Sequence, residues 1–175
     1  MLIVEGPDGA GKTTLIQALQ HELGLPIAPR VVSKDAEAMV DLPAWVEMNL
    51  SEGFQHRIFD RHRLISEPVY GPILRHDQEA GFDDIETMQR WMFKFYNLQP
   101  IIIYCIPPLD TVLKNIAGDI ENQVVWDHIR GIYSAYVARA AIDCRAGRNV
   151  FIYDYTQDNT HNLISIVKGI LNRVI

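Results

Sequence analysis

The segment Gly6-Pro7-Asp8-Gly9-Ala10-Gly11-Lys12-Thr13 restricts the possible folds more than any other, because it has the spacing of a phosphate-binding loop: Gly, four residues, then Gly-Lys-Thr. That spacing has physical meaning only between a strand and a helix. Met1-Leu2-Ile3-Val4-Glu5 reads as a short buried strand, and Thr14 to Leu23 has helical spacing with Gly24 as its stop signal. The glycines let the backbone wrap a phosphate chain, while the loop amides and the helix N-terminus attract its negative charge. Gly6, Pro7, Asp8, Gly9, Ala10, Gly11, Lys12, Thr13 and Thr14 are therefore the candidates for holding a nucleoside triphosphate. Lys12 is placed to reach the β- and γ-phosphates. Thr13 is placed to put its hydroxyl on Mg²⁺, which keeps several waters and takes few protein ligands.

Strands and helices alternate through the rest of the chain. Ala28 to Ser33 reads as a second strand, Ala36 to Leu50 as a helical region broken at Pro43, and Phe54 to Asp60 as a third strand. A helical stretch from about Ser66 to His76 is punctuated by Pro72 and Gly81, and a longer one opens at Asp83 and runs to Leu98. Pro100 to Ile106 is the most apolar strand. Asp110 is expected to cap the next helix; Gln123 to Ala141 reads as a long amphipathic helix, Asn149 to Tyr155 as the last strand and Asn159 to Arg173 as the closing helix. Such alternation implies a parallel sheet covered on both faces, with ligands at the carboxyl ends of its strands. The expected fold is an α/β P-loop kinase-like three-layer sandwich with a five-stranded parallel sheet flanked by helices, in one domain over residues 1–175.

The net charge of -6 argues against a broad nucleic-acid surface and suits small anionic ligands held in a pocket. The longest apolar run, Ile101 to Pro108, is too short to span a bilayer, so no membrane partner is expected and the protein is read as soluble and cytoplasmic. Cys105 and Cys144 have neither metal-ligand nor disulfide-framework spacing and are read as buried or incidental thiols.

Asp60 and Arg61 stand side by side at the end of the third strand, the catalytic edge of such a sheet. Asp60 could hold Mg²⁺ through water or accept a proton from an attacking hydroxyl, and Arg61 could fork onto the phosphate of an acceptor. A surface salt bridge is the alternative for the pair alone. Its place after a strand, in a chain with a phosphate loop, favours the site.

The run Glu5 to Thr14, the Asp60-Arg61-His62 turn followed by Ser66 and Tyr70, and the helix Trp126-Asp127-His128-Ile129-Arg130-Gly131-Ile132-Tyr133 together resemble thymidylate kinase. The resemblance implies transfer of the γ-phosphoryl group of ATP to a nucleotide, with Mg²⁺, and with the Asp60-Arg61 turn facing the acceptor. It implies that Asp8 helps to organise metal and acceptor phosphate, that Arg61 contacts that phosphate, and that Ser66 and Tyr70 lie near the nucleoside. Lys12, Asp60, Arg61 and Asp8 are then the catalytic candidates, Thr13 and Asp60 the metal ligands, and Asp60, Arg61, Ser66 and Tyr70 the acceptor contacts. The partner is a small-molecule nucleotide, with a homodimer left open.

Two departures stand out. His62-Arg63-Leu64-Ile65 puts four residues between Arg61 and Ser66, where thymidylate kinases usually have three. The lid segment Ile116 to Gln123 contains no arginine, so either the charge of the transition state is met by other cations, among them Lys12, Arg61, Arg63, Lys114 and Arg130, or the enzyme is specialised for something other than thymidylate. For base stacking the candidates are Trp45, Phe54, Tyr70, Trp91 and Phe93. The preferred acceptor is a (deoxy)nucleoside monophosphate such as dTMP or a modified pyrimidine nucleotide. One alternative is a hydroxyl acceptor, on a nucleoside or on a hydroxymethylated base in DNA, with Asp60 as base. Another is a nucleotide-binding module without catalysis.

Overall fold

In the computed structural model, which describes residues 1–29, 42–74, 85–117 and 123–174, the aliphatic run after Met1 forms β1 (Leu2–Glu5), buried along its whole length. It is followed by α1 (Lys12–Leu23), α2 (Leu42–Asn49), β2 (Ile58–Asp60), α3 (Arg63–Leu74), α4 (Ile85–Asn97), β3 (Ile101–Cys105), α5 (Leu109–Ile116), α6 (Gln123–Arg145), β4 (Val150–Tyr153) and α7 (Thr160–Val174). All strand pairs are parallel, in the order β2-β1-β3-β4. Val4 pairs with Asp60 on one side, and Glu5 with Tyr104 on the other.

Alternation along the strands sorts the core into two halves. Leu2, Val4, Ile101, Ile103 and Cys105 face α1, α5 and α7, where Leu15, Leu19, Val112 and Val167 cover them. Ile3, Phe59, Ile102 and Tyr104 face α2, α3, α4 and α6, packing on Val46, Leu64, Ile65, Trp91, Phe95, Ile132 and Tyr136. Burial on both faces is what a parallel sheet requires. Because β2 and β3 lie on opposite sides of β1, the connections leaving β1 and β3 run in opposite directions, and a crevice for a ligand opens at the carboxyl ends of those two strands.

The differences from the sequence reading have local causes. The described residues form four strands rather than five: of the expected strand at 28–33, only the parallel bridge of neighbouring Ile27 to Ile58 is seen, and 30–33 lie outside the described residues. The third expected strand shortens to Ile58–Asp60, because Glu52–Phe54 closes a 3-10 turn and Phe54 packs under the Arg57 guanidinium at 4.8 Å. Helix α3 starts three residues earlier than expected and runs through Pro68 and Pro72, both on its exposed side. Pro108, not Asp110, occupies the cap of α5, and Asp110 sits in the first turn, where its carboxylate suits the helix dipole. Cys105 is buried, which pushes its thiol up to about 12, while Cys144 is exposed on α6. Among the described residues, no helix is long and apolar enough to cross a membrane.

Candidate functional site

The loop joining β1 to α1 is built on left-handed glycines. Gly9 (φ 75°) and Gly11 (φ 80°) lie where side chains do not fit: a Cβ on Gly9 would come within 2.7 Å of Ile116 Cγ2, and one on Gly11 within 2.9 Å of the Tyr155 ring. The C-terminal end of α5 and Tyr155, just beyond β4, thus brace the loop from outside. Asn115 completes the brace. Its Nδ2 donates to the Gly9 carbonyl and to the Tyr155 hydroxyl, each at 2.7 Å.

A cleft of about 300 Å³ runs along this loop, lined by Asp8, Gly9, Ala10, Gly11, Lys12, Thr13, Asp60, Arg61 and Asn115. Gly6 and Pro7 are buried behind it, and Thr14 is exposed away from it. Lys12 is 8% exposed and donates to the Pro7 carbonyl at 2.6 Å. Burial, together with the charge of Arg61, lowers its ammonium to about 8, against the opposing pull of Asp8 and Asp60.

A second cleft, of about 280 Å³, lies beside the first, between α2, α3 and the end of β2. Its walls include Trp45, Phe59, Asp60, Arg61, Arg63, Ser66, Glu67 and Tyr70. Ser66 and Tyr70, one helical turn apart on α3, both face it, so the extra residue after Arg61 does not turn them away. Of the other proposed stacking residues, Trp45 lines the cleft with the Arg63 guanidinium over its ring at 5.7 Å. Phe54, Trp91 and Phe93 do not line it: Trp91 is buried, with its indole donating to Glu47, and Phe93 is 69% exposed elsewhere on α4. Lys114 and Arg130 are exposed and line neither cleft, whereas Arg63 lines the second. The arginine-free segment at 118–122 is outside the described residues.

Asp60 and Arg61 line both clefts. Arg61 adopts a left-handed backbone (φ 66°), which costs a residue with a Cβ about 1–2 kcal/mol and swings the side chain back over the phosphate loop. Its guanidinium donates to Asp8 Oδ1 at 2.7 Å, to the Tyr70 hydroxyl at 2.6 Å and to the Gly6 carbonyl at 3.3 Å. Tyr70 in turn donates to Asp8 Oδ2 at 3.0 Å. Burial alone would raise the Asp8 carboxyl, but Arg61 and Lys12 outweigh it and hold it below its usual range. Burial drives the Tyr70 phenol well above its ordinary value, so it remains a neutral donor. Three residues proposed for separate tasks, Asp8, Arg61 and Tyr70, thus form one network joining phosphate loop, strand end and helix.

Behind this network Glu5 is fully buried, and burial pushes its carboxyl up to about 7, against the opposing influence of the His62 amide and Arg61. Its Oε1 accepts the His62 backbone N–H at 2.6 Å and its Oε2 the Tyr136 hydroxyl at 3.0 Å. Asn115, Tyr155 and this use of Glu5 are absent from the sequence reading. Their contacts span 40 to 131 residues along the chain, and no local pattern signals them.

No protein-family model matches the chain, and no curated protein does either. Among solved structures, the YorR protein of Bacillus subtilis in complex with phosphorylated GDP is similar with a TM-score of 0.68 at 17% identity, over 98% of this chain and 95% of that one. The deoxyadenosine kinase of M. mycoides with bound dCTP is similar with a TM-score of 0.60 at 19% identity, over 99% and 100% of the two chains. With bound dATP the same kinase scores 0.56 at 18% identity, over 98% of each chain. These neighbours do not single out thymidylate kinase. What the likeness does establish is the architecture: this chain has the α/β fold of the P-loop nucleoside and nucleotide kinases.

Proposed function

We propose that the chain is a nucleotide kinase that transfers the γ-phosphoryl group of ATP, with Mg²⁺, to a (deoxy)nucleoside monophosphate, with dTMP or a related pyrimidine nucleotide as the first acceptor to test. The observation that carries this reading is the pair of adjoining clefts that share Asp60 and Arg61. One has the glycine-built loop suited to a triphosphate, the other the aromatic and polar walls suited to a nucleoside. The names of the structural neighbours support it: one is a deoxyadenosine kinase seen with dCTP and with dATP, the other was crystallised with phosphorylated GDP.

In this reading Gly9, Ala10, Gly11 and Lys12 hold the donor phosphates. Thr13 and Asp60, both on the donor cleft, would hold Mg²⁺, which would neutralise charge on the donor phosphates. Arg61 and Asp8 align the acceptor phosphate, and Ser66, Tyr70 and Trp45 receive its nucleoside. An acceptor phosphate oxygen attacks the γ-phosphorus in line as the bond to the bridging oxygen breaks and ADP leaves; the chain contributes positioning and charge and forms no covalent intermediate.

A second reading keeps the donor side and takes a hydroxyl acceptor. It is favoured by the carboxylate of Asp60 at the junction, placed to take the hydroxyl proton, and by the neighbour named for deoxyadenosine. An ADP-release screen over nucleoside monophosphates, nucleosides and duplex DNA, with Lys12→Ala as control, separates the readings. Turnover with monophosphates that Lys12→Ala abolishes supports the first; turnover with nucleosides alone moves the assignment to the second. Nucleotide binding without turnover on any acceptor refutes both.

A further inference from the structure

Glu5 is the one charged residue of β1, at the end of an otherwise aliphatic strand, and it is 0% exposed. An apolar side chain at this place would avoid the desolvation of a carboxylate, so the charge needs a local reason. Its two oxygens point to different elements. Oε1 accepts the His62 N–H at 2.6 Å, and Oε2 accepts the Tyr136 hydroxyl from α6 at 3.0 Å.

The His62 amide belongs to the turn that carries Arg61. Arg61 is left-handed, and the bonds on either side of it hold that conformation: its own N–H donates to the Val4 carbonyl at 3.0 Å, and the next N–H donates to Glu5. His62 directly precedes α3, and its carbonyl accepts from Ile65 and Ser66. The conformation of the turn decides whether the guanidinium reaches Asp8, Tyr70 and the Gly6 carbonyl, and whether Asp60 and Arg61 both face the junction of the two clefts.

We propose that Glu5 is the positioning residue of the acceptor side: clamped by Tyr136, it holds the left-handed turn at Arg61 and so aligns Arg61 and Asp60 without touching the substrate. This assignment rests on the proposed acceptor cleft. It predicts an effect on acceptor affinity that is separable from folding, because an apolar residue of similar length fills the same space without holding the turn.

The test compares the full-length chain with Glu5→Met, Glu5→Gln and Tyr136→Phe, reading thermal melting, the amide exchange of His62 by NMR, and the KM of donor and acceptor separately. Glu5→Met preserves volume but leaves the buried His62 amide and Tyr136 hydroxyl without their acceptor, so it is expected to fold and to melt below the wild-type temperature, with the His62 amide exchanging at least about hundredfold faster and acceptor KM raised about tenfold or more while donor KM stays within about twofold. Glu5→Gln keeps an acceptor for His62 and is expected to stay within about threefold of wild-type acceptor KM, with Tyr136→Phe falling between the two. Unchanged His62 protection in Glu5→Met, or donor and acceptor KM rising together in Glu5→Met and Tyr136→Phe alike, overturns the proposal. If the wild-type chain turns over no acceptor, the kinase reading fails, while the exchange of His62 still decides whether Glu5 holds the turn.

Discussion

Replacing His62 by Asn should remove a steep acid destabilisation from this protein. The imidazole is fully buried, stacked on Phe95 at 4.8 Å and flanked by Phe59 and Trp45 at 5.4 and 5.6 Å. Burial lowers its pKa from 6.5 to about 3, so the folded state holds it neutral while the unfolded chain protonates it near 6.5. A group depressed on folding contributes its full stability above 6.5 and loses it as pH falls toward 3. At about 1.4 kcal/mol per pH unit this is on the order of 5 kcal/mol over the whole range, about half of it between about pH 7.5 and pH 4.5. Glu5 works in the opposite direction: raised from 4.5 to about 7, it binds a proton more readily in the fold, so its contribution falls as pH rises through that interval and flattens the wild-type profile. The difference between wild type and variant removes this masking, since Glu5 is present in both. Asn is the suitable replacement because His62 is the residue before α3 and its Nδ1 accepts the Leu64 N–H at 3.3 Å, which an Asn side-chain oxygen can do. The lost ring costs about 2–4 kcal/mol at every pH and does not affect the slope. Urea unfolding followed by tryptophan fluorescence at about four pH values from 7.5 to 4.5 gives both profiles. Convergence by about 2–3 kcal/mol toward acid is expected; parallel profiles would refute a neutral, water-shielded imidazole.

Two further outcomes follow from the clefts. Asn115→Ala removes both bonds of the brace at an exposed position, so donor KM should rise about three- to tenfold at saturating acceptor with stability changed by less than about 1 kcal/mol; an unchanged donor KM would detach Asn115 from the phosphate loop. Tyr70→Phe keeps the ring beside Arg61 and the Asp8–Arg61 pair, but it removes the hydroxyl that both share, and acceptor KM should rise about three- to tenfold while donor KM stays within about twofold.

The strand, glycine loop and helix at the start of the chain were legible because they are contiguous: aliphatic and acidic residues for the strand, glycines where φ is positive, and a helical run read from Thr14 that begins at Lys12. The place of Asp60 and Arg61 at the end of β2 was legible because a strand end in a parallel α/β sheet is itself a location. The remainder depended on contacts between distant residues. A tyrosine or tryptophan at helical spacing looks the same whether it lines a cleft, as Trp45 and Tyr70 do, or fills the core, as Trp91 does. Glu5 reads as part of a motif, yet its two partners come from β2's turn and from α6, the latter 131 residues away. The shortened β2 is a local failure: Phe54 has strand propensity, but the Ser51 to Gln55 turn and the Arg57 guanidinium offered it a competing arrangement.

The position of Arg61 has a consequence for how the two clefts act together. Its guanidinium is bound by Asp8, of the loop after β1, and by Tyr70, of the wall of the second cleft, while its peptide is fixed between Val4 and the Glu5-bound amide. A phosphate entering either cleft competes for the same donors, so any shift of Asp8 changes what Arg61 can offer on the other side. Because burial keeps Tyr70 neutral and Arg61 remains protonated, Asp8 supplies the negative charge of that three-membered network, beside the neutral acceptors on Tyr70 and Gly6. Donor and acceptor affinities should therefore be coupled through Asp8, by the reciprocity that binds any two ligands sharing one equilibrium. In Asp8→Asn that coupling should weaken in both directions by the same factor.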